Sequence, residues 1–166
     1  MTYEFTSELI NLIREQMAAE YGVTEIDPPS RKYNCHSYAW HSVSTSNSYW
    51  INSPVGYMTD PHVTLDNSMP AGSVVVYKAN GTITHSAIVT ASSLLHGFNA
   101  ISKWGQAGVY NHVYNDVPAS YLGSQSSFEF YVCDYEHDFT GNQYYNSVYH
   151  RNTCSICGYY IQCTYF

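Results

Sequence analysis

Ser73-Val74-Val75-Val76-Tyr77, then Asn80-Gly81, then His85-Ser86-Ala87-Ile88-Val89-Thr90 is the stretch that decides the fold. The β-branched run into Tyr77 reads as a strand, Asn-Gly is a strong hairpin turn signal, and the apolar run from His85 reads as the returning strand. Ala100 to Trp104, Val109 to Val113 and Phe128 to Cys133 extend the meander. Upstream, residues 7 to 21 read as an amphipathic helix: Ser7 can cap it, Leu9, Ile10, Ile13 and Met17 recur at helical spacing, and Gly22 can stop it. Asp27-Pro28-Pro29-Ser30 forces an extended linker, because a residue before proline avoids helical dihedrals. A second short helix is expected from Asn34 to about Ser44, followed by a polar, turn-rich stretch. Helices first and a strand meander after predict an α+β fold. From Cys133 onward apolar periodicity vanishes, so the chain divides into a main domain, 1–132, and a small Cys/His-rich module, 133–166.

The chain has 166 residues, enough for a core domain plus a small appendage, and its 45% hydrophobic content permits a real core. Only 11% of residues are charged, while 18 are tyrosines, a surface chemistry common outside cells. The net charge of -7, with six scattered Lys and Arg, argues against a nucleic-acid partner. The longest apolar runs are strand-sized, so no transmembrane segment is expected. The polar, acidic start does not read as a signal peptide, so either a secreted or cell-surface protein has had its leader removed or the protein stays inside a cell.

Of five cysteines, Cys35 stands alone while Cys133, Cys154, Cys157 and Cys163 crowd the C-terminus. Tyr33-Asn34-Cys35-His36-Ser37-Tyr38-Ala39-Trp40 places Cys35 at a helix start with Asn34 as cap. That position favours a thiolate through the unpaired N–H groups and the helix dipole; a half-buried structural cysteine is the alternative. Among eight histidines, His36 and His41 do not share the face of Cys35, and His62 and His96 sit in polar, loop-like surroundings. His85 opens an apolar strand directly after the hairpin, and a rigid strand start can aim an imidazole at a facing helix terminus.

A cysteine opening a helix, a hairpin further on, and a histidine opening its second strand resemble the NlpC/P60–CHAP superfamily of papain-like cysteine peptidases and amidases. The resemblance runs over residues 30 to 122 and rests on 34–40, 71–77 and 85–89. Ser102-Lys103-Trp104-Gly105-Gln106-Ala107-Gly108, with His112, is similar to a further signature of a Firmicutes-type amidase branch. What the resemblance implies is a Cys35–His85 dyad cutting amide bonds in bacterial cell-wall peptides. A third polar residue should accept the His85 Nδ1–H from the neighbouring strand. Ser102, Lys103 and Gln106 are on offer; Ser102 fits the spacing, and Lys103 is a poor acceptor suited to substrate or fold. The Cys35 N–H is the natural oxyanion donor, with Tyr33 beside it. Trp40, Trp50, Tyr57 and Trp104 are candidates for groove walls, with core packing as the alternative.

His137-x12-His150-x3-Cys154-x2-Cys157-Gly158 has the spacing of a structural zinc site, since a Cys-x-x-Cys-Gly knuckle turns two sulfurs toward one ion. Disulfides, either Cys154–Cys157 or bridges with Cys133 and Cys163, are the alternative in an oxidising compartment. Four protein ligands would leave no open position, so catalysis needs no metal. Two function classes remain: a peptidoglycan amidase or endopeptidase, and a non-catalytic secreted binding module. An acyl-transferring effector or toxin on the same fold is a variant of the first.

Overall fold

A computed structural model of the chain describes residues 4–44 and 46–133, together with the strand segments 143–144, 149–153 and 160–164. Helix α1 spans Ser7–Tyr21 and is capped one residue earlier than expected: the Thr6 side chain accepts from the Leu9 N–H. Gly22 ends it in the left-handed conformation at φ 63°, returning its N–H to the Ala18 carbonyl. Strand β1, Thr24–Asp27, follows at once, and helix α2, Cys35–Trp40, is shorter than the expected run to Ser44. The polar stretch beyond it holds helix α3, Val55–Met58, and strand β2, Val63–Leu65.

The hairpin turns at Asn80-Gly81 as expected, but its returning strand begins at Thr82, because the pairing continues to the turn. His85 therefore lies inside the strand opposite Tyr77 rather than opening it. Strands β3, Val74–Ala79, and β4, Thr82–Ser93, are joined by Asn80 and Gly81, both at positive φ, the two-residue turn that suits twisted strands. Strands β5, Gly97–Lys103, and β6, Val109–Val113, continue the meander; helix α4, Ala119–Leu122, precedes β7, Ser126–Cys133. These seven strands make one antiparallel sheet in the order β1-β6-β5-β4-β3-β7-β2. The fold is α+β, dominated by this sheet. No helix among the described residues is long and apolar enough to cross a membrane.

Each face of the sheet has its own cluster, because strand residues alternate. On one face Tyr77, Ala87, Val89, Ala100 and Tyr110 are buried under Met17 and Tyr21 of α1 and Tyr121 and Leu122 of α4. On the other, Ile88, Ile101 and Val109 meet Tyr33 and Tyr38 around α2. Full burial of each large aliphatic or aromatic side chain here contributes about 1.5–3 kcal/mol. Beyond Cys133, strands β8, Gln143–Tyr144, β9, Tyr149–Thr153, and β10, Tyr160–Thr164, form their own sheet in the order β10-β9-β8.

Candidate functional site

Asn34 fixes the start of α2. Its Oδ1 accepts from the Ser37 N–H at 3.1 Å and the Ile51 N–H at 3.3 Å, and its Nδ2 donates to the Ile51 carbonyl at 2.7 Å. The cap read from sequence is thus also a clamp to a segment 17 residues away. Cys35, the first residue of α2, is 6% exposed. Burial pushes its thiol up to about 11, against the lowering pull of the Ser86, His36 and Cys35 backbone N–H groups and of the Lys103 charge. The expected helix-start activation is therefore overridden. A six-residue helix has a small dipole, and desolvation wins. The resting sulfur is a neutral thiol.

The Ser86 N–H that faces this thiol lies where the sheet opens. Strand β4 pairs with β5 only from Ile88 onward, while on its other side His85 and Ser86 pair with Tyr77 and Val76 of β3. Cys35 therefore stands beside Ser86. The His85 side chain, one residue earlier on β4, turns to the opposite face from the Ser86 side chain, and no hydrogen bond joins its Nδ1 to the Cys35 sulfur. That imidazole is fully buried, with the Tyr121 ring stacked on it at 4.1 Å and 6° and the Tyr77 ring edge-on at 5.2 Å. Its Nε2 is hydrogen-bonded to Ser102 Oγ at 2.9 Å, whereas its Nδ1 is buried without a hydrogen-bond partner. The serine thus meets the opposite ring nitrogen from the one expected. Burial, with His112 and His36 nearby, pulls His85 well below the ordinary histidine range, so it rests neutral.

Ser102 is a three-way junction. Besides His85 it meets His112 Nε2 at 2.8 Å and receives the Trp104 indole N–H at 3.0 Å. His112 Nδ1 is bonded in turn to the Val113 carbonyl at 2.9 Å. The sheet register explains the arrangement. Ser102 stands opposite Tyr110, and His112 opposite Ala100, so Ser102 and His112 are diagonal neighbours on one face. On the opposite face Ser86 Oγ meets His36 Nδ1 at 2.8 Å and receives the Trp40 indole N–H at 3.1 Å. Burial brings His36 down to about 4.

Lys103 serves the fold: its ammonium donates to the Ser30 and Gly105 carbonyls at 2.9 Å each and to the Ala107 carbonyl, and lies over the Tyr33 ring. Those three bonds tie the segment leading into Cys35 to the β5–β6 turn, and burial brings Lys103 down to about 7. Tyr33 is buried against Tyr38, and its hydroxyl is pushed up to about 12 by the same desolvation. Trp104, 3% exposed, holds Ser102 and packs on Tyr21 and Tyr110 rather than walling a groove. Trp40 and Tyr57 do line a cleft of about 430 Å³, with Tyr38, His41, Val74 and Tyr131. It runs along the C-terminal half of α2, one helical turn beyond the thiol.

His36, Tyr77, Ser86 and Tyr121 surround the site without having been singled out from sequence for it, and His112 stood out only as part of a motif. Strand alternation puts Ala100 and Ser102 on one face of β5, yet only the register between strands adds His85 and His112 to it. Of the zinc ligands expected in the tail, His137, Cys154 and Cys157 lie outside the described residues. His150 falls on β9, opposite Cys163 on β10 and Tyr144 on β8, and its side chain is outside them too. Comparison of the chain with protein-family models, curated proteins and solved structures finds no match.

Proposed function

We propose that the chain is a papain-like cysteine hydrolase of the NlpC/P60–CHAP kind, cutting amide bonds in peptidoglycan with Cys35 as nucleophile and His85 as base. The observation that carries this reading is the buried neutral imidazole tied at Nε2 to Ser102, its Nδ1 unpartnered, on the strand stretch that abuts Cys35. A buried nitrogen lone pair without a partner is costly, and active sites are where such costs are kept. In the reaction the Cys35 thiol passes its proton to His85 Nδ1 as sulfur attacks the carbonyl. The imidazolium protonates the leaving amine, and water resolves the thioester. In this reading the Cys35 N–H donates to the oxyanion, and the Trp40–Tyr57 cleft takes the peptide flanking the scissile bond. The tail at 133–166, in this reading, is a zinc-stapled module of a secreted or surface enzyme.

One observation favours the second reading, a non-catalytic binding module. Cys35 and His85 are 6% and 0% exposed, and the cleft is not lined by either of them. Incubating purified peptidoglycan with the full chain and with Cys35→Ala separates the two. New stem-peptide fragments by mass spectrometry are expected from the wild type, reduced about 10³-fold or more in the variant. Equal release by Cys35→Ala, or none by the wild type, overturns peptidoglycan hydrolysis.

A further inference from the structure

We infer that His112 is a positioning residue that sets the tautomer of His85 through Ser102, an assignment resting on the dyad reading above. The proton directions follow one by one from a group that has no choice. The Val113 carbonyl can only accept, so His112 Nδ1 carries the proton in their 2.9 Å bond. His112 is 5% exposed, and burial favours its neutral form, so its Nε2 is a bare acceptor. The 2.8 Å contact at that nitrogen must then be donated by the Ser102 hydroxyl. A hydroxyl has one proton and two lone pairs. With the proton directed at His112, the lone pairs receive the Trp104 indole N–H at 3.0 Å and, at 2.9 Å, the remaining partner. That partner is His85 Nε2, which must therefore donate.

His85 is left with its proton on Nε2 and its lone pair on Nδ1, the nitrogen without a partner. The reverse direction, Ser102 donating to His85, would need His112 protonated at both nitrogens and charged inside the sheet, where desolvation opposes it. Serine alone cannot enforce a tautomer, because its hydroxyl rotates to donate or accept. His112 removes that freedom. Without it the Ser102 hydroxyl is able to donate to His85 Nε2, moving the ring proton to Nδ1 and leaving nothing there to take a thiol proton. This is how a serine fills a place where a firmer acceptor is the common choice: the second histidine, one strand further out, supplies the direction.

The test reads the imidazole itself. Two-bond ¹H–¹⁵N correlation spectra of the histidine-labelled full chain near neutral pH, with the His85 signals assigned by His85→Gln, are expected to show the Nε2–H tautomer in the wild type. His112→Phe should shift His85 toward the Nδ1–H tautomer and lower kcat by about tenfold or more, with KM little changed. His112→Gln, whose side-chain carbonyl can accept the Ser102 proton, should keep the Nε2–H form. An Nδ1–H tautomer in the wild type, or an Nε2–H tautomer persisting in a folded His112→Phe, overturns the inference; the wild-type spectrum decides even if that variant does not fold. The tautomer is read without substrate. A tautomer that obeys His112 in a protein releasing no peptidoglycan fragments would leave this assignment standing and sink the hydrolase reading instead.

Discussion

Two serines on strands β4 and β5 are each bonded to a histidine and a tryptophan, on opposite faces of the sheet. Ser86 joins His36 and Trp40; Ser102 joins His85 and Trp104. The residue types are alike and both serines are fully buried, although Trp40 is half-buried where Trp104 is buried. What differs is what lies beyond: Ser102 has a third partner, His112, and its first histidine keeps a bare nitrogen in the core. The Ser86 hub fastens α2 to β4 and holds the thiol's helix in place. The Ser102 hub extends as a chain across three strands and ends at a nitrogen with nothing bonded to it. Shared composition thus separates into a fastening and a candidate reaction centre, and the separation comes from strand register.

Breaking each hub should expose that division. Ser102→Ala is expected to lower kcat by about 10²-fold, since His85 loses the group that orients it. Ser86→Ala is expected to act chiefly on stability, costing about 1–3 kcal/mol by leaving the His36 and Trp40 nitrogens unpaired, with a smaller change in kcat than the Ser102 variant. Steady-state kinetics and urea unfolding on the same pair of variants check this. A Ser86 variant that loses more kcat than the Ser102 variant would reverse the assignment of the two hubs.

Acid should weaken both hubs together. His36 falls from the ordinary 6.5 to about 4, and His85 and His112 are also held down by burial. Each binds a proton more readily unfolded than folded, so stability is fully present above pH 6.5 and is lost as pH falls below it. His36 alone accounts for about 3 kcal/mol by pH 4. The urea midpoint should drop steadily from pH 7 to pH 4, and a flat midpoint over that range would mean that these histidines are not buried as neutral groups. A smaller effect is expected from Lys103→Met, which leaves three backbone carbonyls short of a donor and loosens the segment before Cys35. A loss of about 1–3 kcal/mol is the scale for such groups.

Much of this was legible in the chain. Asn80-Gly81 announced the hairpin, Asn34 the cap, Gly22 the helix stop, and the spacing of Ser102 its approach to His85. These are local signals or one-strand-away relations. The fate of the thiol was not legible, because a helix start promises activation while desolvation depends on what covers it; Cys35 lies beneath Ser86, 51 residues on. Strand β1 escaped notice because its partner β6 lies far along the chain, and Tyr121 because four residues of helix carry no periodic signal. His112 required the β5–β6 register, which only the pairing of the strands supplies.

The proposed role of His85 as base to the Cys35 thiol is read out by the pH dependence of Cys35 carbamidomethylation with iodoacetamide, followed by peptide mass spectrometry from pH 6 to pH 9. An unassisted thiol pushed up to about 11 gains reactivity about tenfold per pH unit, tracking its thiolate fraction. A thiol deprotonated by a neutral imidazole reacts at a rate independent of pH over the same range. A flat profile is expected for the wild type and a slope of about one in His85→Gln; a slope of one in the wild type would show that His85 does not take the thiol proton.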